Sequence, residues 1–169
     1  MKFFRTKKQD KKAGITLIAA YTKNGRIIGK NGKIPWNLVS ERNHFKEYCA
    51  GKKIIMGRKS FEEIGHALPY CTIIILSKTM QTAPEGCLLA NSLDEAIKLT
   101  DGEVIICGGQ NLYEQTLPIA NKIYATEILQ DFDGDNFFPQ LDGLWHKFLL
   151  DKKEENQIKY EYVLYERKK

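Results

Sequence analysis

Apolar positions along the chain fall into two rhythms, short unbroken runs and helical stripes, and the two take turns. Residues 14–20 (GITLIAA), 53–57 (KIIMG), 71–76 (CTIIIL) and 103–107 (EVIIC) are apolar runs bounded by turn residues. Runs of that length, rich in β-branched side chains, predict strands buried on both faces. A shorter strand is predicted at 86–90. Between the runs the period becomes helical. Leu38, Phe45 and Cys49 can cover one stripe of a helix near 40–50, with Ser40 as its N-cap. Gly57-Arg58-Lys59-Ser60 opens a second helix, through Ile64. Asn91 or Ser92 caps a third, to about Leu99, and Gly108-Gly109 leads into a fourth that stops before Pro118. Residues 122–128, 145–150 and 158–166 alternate as strands, the last two as a terminal hairpin. Residues 21–33, with three glycines and two Asn-Gly pairs, read as a long mobile loop, and 131–139 as an acidic turn. Strand and helix in repeated succession predict an α/β fold whose sheet is mostly parallel with an antiparallel edge.

Composition narrows this to one ordinary domain. The chain has 169 residues, 43% of them hydrophobic and 28% charged, enough for a core without a second unit. The net charge of +5 is concentrated at the start, where Lys2, Arg5, Lys7, Lys8, Lys11 and Lys12 face a single Asp10. Residues 1–13 are therefore expected to be a disordered basic leader and 14–167 the domain. A basic arm for an acidic surface is the alternative reading of the leader. No run reaches the roughly 20 apolar residues of a membrane span, and the basic start lacks the apolar stretch of a secretory signal. Cys49, Cys71, Cys87 and Cys107 form no CxxC pair and lie in or beside apolar runs, as buried free thiols do. With His44, His66 and His146 scattered, no metal site is expected. A cytoplasmic protein that binds neither membrane nor nucleic acid is the reading.

Chemistry has few places to sit. Glu41 is one carboxylate in an apolar stretch, IPWNLVSERNHF. It is either a solvated first-turn acid, favoured by the helix end, or a half-buried acid gripping a cationic or amidine-like ligand edge. Ligands of open α/β sheets bind beyond the carboxyl ends of strands, at helix N-termini. Gly57-Arg58-Lys59-Ser60 joins strand to helix with two cations and a hydroxyl, which suits a phosphate. Cys107-Gly108-Gly109-Gln110 lets a flat ligand approach the backbone, and Ser77-Lys78 ends a third strand. Each is also ordinary turn chemistry. No G-x-G-x-x-G fingerprint is present, so a standard Rossmann dinucleotide site is not supported.

Taken together, the segments ITLIAA (15–20), IGKN (28–31), IPWNL (34–38), IIMGRKSF (54–61), GGQNLY (108–113) and GDNFFP (134–139) resemble dihydrofolate reductases, in order and spacing, from about Ile15 to Arg167. The resemblance implies a three-layer fold with an eight-stranded, mainly parallel sheet and four helices. It implies NADPH-dependent reduction of 7,8-dihydrofolate to tetrahydrofolate in one-carbon metabolism, sensitivity to antifolates and a monomer. It places Glu41 on the family's active-site carboxylate, Trp36 on the residue that holds an ordered water, and Thr126 on the hydroxyl bonded to the carboxylate. Ile18, Ala20, Ile34 and Phe45, with Ile64, Cys107 and Tyr113, fall on the walls of the pterin and nicotinamide pocket. Residues 22–37 match a mobile lid.

For the cofactor, the resemblance implies Arg58, Lys59 and Ser60 at the phosphates and Ser77 and Lys78 near the adenosine 2′-phosphate. Gly108, Gly109, Gln110, Asn111 and Leu112 fall at the pyrophosphate, with a cis Gly-Gly peptide. Ala20, Ile28 and Gly57 also fall on cofactor positions. One departure stands out. The family's arginine for the glutamate tail of folate falls on Cys71, whose neutral thiol cannot make a bidentate bond. Lys46 and His66 are the candidates to compensate. The gap leaves open a related pterin or pyrimidine reductase without tail recognition, and a half-exposed Cys71 would make the protein thiol-sensitive.

Overall fold

The computed structural model describes residues 14–169; the basic leader lies outside the described residues. The described residues form ten strands and four α-helices; eight of the strands and all four helices follow the predicted succession. β1 (Ile15–Thr22), β3 (Lys53–Gly57), β4 (Thr72–Leu76), β5 (Leu88–Ala90), β6 (Val104–Ile106) and β7 (Lys122–Ile128) run parallel to one another. β9 (Trp145–Glu155) and β10 (Ile158–Arg167) add an antiparallel hairpin. The sheet order is β5-β4-β3-β6-β1-β7-β10-β9. This is the eight-stranded, mainly parallel sheet that the sequence predicts.

The uninterrupted isoleucine runs have a simple physical reason. Alternate residues of a strand face opposite sides of a sheet. Ile55, Ile74 and Ile106 enter one core with α3 (Leu93–Lys98) and α4 (Gln110–Thr116), through Ala96 and Leu112. Their neighbours Ile54, Met56, Ile73, Ile75 and Ile105 enter the other core, with α1 (Val39–Cys49) and α2 (Arg58–Ile64), through Cys49 and Phe61. With helices on both faces, no alternate position is left for polar residues. A third cluster, Trp36, Leu38, Ile128, Tyr160 and Tyr162, closes the side nearest the hairpin.

Four expectations need correction. The segment 21–33 is not a structureless loop. β1 runs on to Thr22, and β2 (Ile27–Gly29) pairs with β8 (Asn136–Phe137) inside the acidic turn. Two-residue pairings are too short to show as alternation. Ser40 is not the N-cap of α1: the cap position is Leu38, which offers no side-chain bond. The first-turn N–H groups of Val39 and Ser40 instead donate to the Glu155 carboxylate, 116 and 115 residues away. The first hairpin strand extends to Glu155 rather than ending near 150, because β10 pairs with it up to Ile158↔Glu155. Of the four free thiols, Cys49 and Cys87 are buried but Cys71 and Cys107 are only partly so. The Ser92 cap does form: its hydroxyl accepts from the Glu95 N–H, and Glu95 in turn accepts from the Asn91 N–H.

Candidate functional site

The carboxyl ends of β1, β3 and β6 lie on one edge of the sheet because those strands are parallel neighbours. Of the residues singled out from sequence, Gly57 ends β3 and Cys107 and Gly108 follow β6 on that edge. Glu41 sits in the first turn of α1 and is mostly buried. The Thr126 hydroxyl of β7 donates to its Oε1 at 3.5 Å. Loss of water raises its pKa from 4.5 to about 7, with the Thr126 bond and the Arg42 charge pulling weakly the other way. A solvated first-turn glutamate would show no such rise, so the half-buried reading holds. Ile18, Phe45, Tyr124 and Thr126 line the narrow cavity beside it.

Trp36 is buried, and its indole Nε1–H has no hydrogen-bond partner in the protein. A buried donor without a partner costs on the order of 1–3 kcal/mol. Tyr113 is buried and donates its hydroxyl to the Ile18 carbonyl at 2.5 Å, tying α4 to the centre of β1. Cys107 follows β6, half-buried, and burial with the neighbouring Cys49 pushes its thiol pKa above the ordinary value.

At the other end of the cleft the backbone comes unusually close to itself. The Gly108-Gly109 peptide is cis, and the Gly57 N–H donates to the Gly108 carbonyl at 2.9 Å. Gly108 has φ +110°, a conformation that a side chain disfavours. A Cβ on Gly109 would stand 2.9 Å from the Ser60 Oγ. The conformation at Gly108 and the close approach of Gly109 to Ser60 thus favour glycine at both positions, where no side chain stands between the backbone and a flat or anionic ligand. Arg58 and Lys59 stand beside it at the start of α2, Arg58 bonded to Glu62 at 2.8 Å. Buried Ser77 accepts from the Thr79 and Met80 N–H groups, and exposed Lys78 extends from the same turn. A ligand carrying several phosphates fits this donor set; Asn111 is exposed and Leu112 is buried at the start of α4.

The segment expected to form a lid, residues 22–37, is tied to the turn that carries β8. Ile34 is 57% exposed, an apolar side chain with no protein cover. Ile28 is half-buried on β2. The Asn31 N–H donates to both oxygens of Asp135, at 3.2 and 3.1 Å, and the Phe137 N–H donates to Gln110 Oε1 at 2.9 Å. Asp135 and the Gln110 side chain thus fasten lid and turn, which sequence reading did not assign. A Gly-Asp pair in an acidic stretch was the available signal.

The surroundings of Cys71, just before β4, differ from the rest. Cys71 is half-buried beside Tyr70, and desolvation raises its thiol pKa to about 11. It is thus almost wholly protonated near neutrality, and the expected thiol sensitivity has no thiolate to act through. Lys46 lies 5.7 Å from the centre of the Tyr70 ring. His66 Nδ1 is 2.8 Å from the Ala67 carbonyl oxygen and is occupied locally. Ile64 packs partly buried against the same core as Cys71.

Comparison with known proteins gives a consistent result. A dihydrofolate reductase family model matches residues 14–167. A dihydrofolate reductase of Bacillus subtilis is 36% identical over 160 residues, covering 91% of this chain and 95% of the relative. A type 3 dihydrofolate reductase of Salmonella typhimurium is 43% identical over 127 residues, covering 74% and 78%. The solved dihydrofolate reductase of Enterococcus faecalis, complexed with NADP(H) and RAB-propyl, superposes with a TM-score of 0.84 at 30% identity, covering 94% of this chain and 98% of that one. Among the described residues, no helix is long and apolar enough to cross a membrane.

Proposed function

The chain belongs to the dihydrofolate reductase family, and from that premise we propose how its own residues carry the reaction. It is an NADPH-dependent oxidoreductase that reduces 7,8-dihydrofolate to 5,6,7,8-tetrahydrofolate. Bound NADPH supplies the hydride that C6 of the pterin receives. Glu41 accepts two parallel N–H bonds from the pterin ring nitrogen and 2-amino group, which fixes the ring's orientation and favours protonation at N5. Its carboxyl faces the wrong edge to reach N5, so water carries that proton. The Trp36 Nε1–H and the Thr126 hydroxyl hold this water. Ile18, Ala20, Phe45 and Ile64 wall the pterin, and Ile34, Cys107 and Tyr113 close around the reacting rings. The lid over 22–37 excludes bulk water when it shuts.

Gly57, Gly108, Gly109 and the start of α4 receive the pyrophosphate, Arg58, Lys59 and Ser60 the neighbouring phosphate oxygens, and Ser77 and Lys78 the 2′-phosphate. Cations at that position favour NADPH over NADH. The observation that carries this reading is Glu41: a carboxyl desolvated to a pKa of about 7 beside a strand hydroxyl, in a cleft whose other end is a glycine cradle. All these groups come from one chain, so a monomer suffices. A cytoplasmic enzyme, open to antifolates, with its domain over 14–167 behind a basic leader, completes the proposal.

Cys71 favours a second reading, a pterin or pyrimidine reductase that ignores the glutamate tail. The test is NADPH oxidation with dihydrofolate beside a dihydropterin lacking the tail. A strong preference for dihydrofolate supports the first reading; equal or reversed preference supports the second.

A further inference from the structure

The β9–β10 hairpin holds the first turn of α1 at several points. The Glu155 carboxylate accepts from the Val39 N–H at 2.5 Å, the Ser40 N–H at 3.1 Å and the Ser40 hydroxyl at 2.7 Å. Tyr162 of β10 stacks on His44, ring centroids 3.9 Å apart, and its hydroxyl donates to the Ser40 carbonyl at 3.5 Å. The next residue after Ser40 is Glu41. A helix begins with backbone N–H groups that no residue of the helix can satisfy, and with a partial positive charge. Here neither Leu38 nor Ser40 satisfies them; an anion from the far end of the sequence does. The Ser40 hydroxyl and the two N–H groups hold the Glu155 carboxyl below its ordinary pKa, so it stays charged through the neutral range.

Resting on the dihydrofolate reductase reading, we propose that Glu155 is a positioning residue for Glu41: it fixes the first turn of α1 against the hairpin and cancels the positive helix end beneath the active-site carboxyl. Two effects follow from the one contact. Fixing the turn sets where the Glu41 oxygens stand relative to Thr126 and hence to the pterin edge. Cancelling the helix end removes a charge that would favour the Glu41 carboxylate, and so helps keep its proton available near neutrality. The other titratable and charged groups around Glu41 are Arg42, His44 and Tyr48 on α1, Tyr113 on α4, Tyr124 on β7 and Tyr162 on β10. Arg42 is the cation among them that acts on Glu41, and its Nη1 is engaged by the Asn37 Oδ1 at 2.5 Å.

The test compares the full-length protein with Glu155→Gln and with Glu154→Gln, a neighbour on the same strand that is exposed and makes none of these bonds. Wild-type turnover of dihydrofolate is measured first; its absence would refute the functional reading itself, not the role of Glu155. Hydride transfer is then followed from pH 5 to 9, with NADPH affinity and thermal unfolding alongside. For Glu155→Gln, kcat/KM for dihydrofolate is expected to fall about threefold at pH 7. The midpoint of the pH profile should move to acid by about half a pH unit, and NADPH affinity should stay unchanged. Glu154→Gln should match the wild type. A Glu155→Gln profile that superposes on the wild type, or equal shifts from both variants, overturns the proposal. A loss of thermal stability without movement of the midpoint would make Glu155 a plain helix cap and overturns it as well.

Discussion

Replacing Glu41 by glutamine should make the ligand-free protein more stable in base while stopping its chemistry. Burial raises the carboxyl from 4.5 to about 7, some 2.5 pH units. At about 1.4 kcal/mol per pH unit, the folded state at pH above 7 carries a cost of about 3 kcal/mol for an ionised Glu41 that the unfolded chain does not carry. Between pH 4.5 and 7 the folded state binds the extra proton, so stability falls as pH rises through that window. Below 4.5 both states are protonated and the cost is gone. An amide has no such cost and still offers Thr126 an acceptor. In a domain of this size about 1 kcal/mol moves Tm by about 2–4 °C, so Glu41→Gln should melt about 6–12 °C higher than wild type at pH 8.5. At pH 4.5 the two should nearly coincide. Turnover at pH 7 should fall about a hundredfold or more, with partial recovery in acid. Thermal unfolding of both ligand-free proteins across pH 4.5–8.5, followed by circular dichroism, decides the matter. A Tm difference that does not change with pH would refute the desolvation argument, and so would a variant less stable at pH 8.5.

Three other perturbations probe the rest of the cleft. Lys78→Ala should raise KM for NADPH about tenfold and leave NADH nearly unchanged; equal effects in steady-state assays would put the 2′-phosphate elsewhere. Cys71→Arg should tighten dihydrofolate binding roughly ten- to a hundredfold in a fluorescence titration, whereas no change would assign the tail to Lys46 or to solvent. A Cβ on Gly134 would stand 2.3 Å from Ile27 Cγ2 and 2.5 Å from the Gly29 carbonyl oxygen, so Gly134→Ala must push β8 off β2. Hydride transfer in that variant should slow about tenfold with the fold intact by circular dichroism, and an unchanged rate would mean that the β2–β8 pairing does not control closure.

The parts legible in the sequence are those where a local rule and the tertiary environment agree. The isoleucine runs of β3, β4 and β6 announce strands covered on both faces, and the core divides them as alternation requires. Ser92 and Glu95 announce a helix start, and the cap bond forms. Glu41 was legible as an anomaly, a carboxylate on an apolar face, but its pKa depends on burial that only the sheet supplies. What stayed hidden depends on residues distant in sequence. The bond from Val39 to Glu155 spans 116 residues, and that from Asn31 to Asp135 spans 104, with no periodicity to mark either. Ser40 was the obvious cap by type, yet its hydroxyl donates to Glu155 instead of accepting from its own helix.

Three places in the proposed cleft where the ordinary rules fail share one property: each leaves a group worse off in the free protein than it would be with the proposed ligands bound. Trp36 buries a donor without a partner, Glu41 holds its acid largely out of water, and Ile34 exposes a large apolar side chain. Glycines at 57, 108 and 109 give up side-chain packing to keep backbone within reach of a ligand. On the proposed reading, a water-bridged pterin would satisfy the first two, and a nicotinamide ring beneath the lid would cover the third. Such costs would be removed by selection for stability alone, since one or two kcal/mol is a large share of a domain's margin. Cys71 breaks this pattern. Its thiol is comfortable where it stands, neutral and partly packed, and has nothing to gain from an anionic tail. On the proposed reading, recognition of the glutamate tail then falls to other groups, Lys46 beside Tyr70 among them.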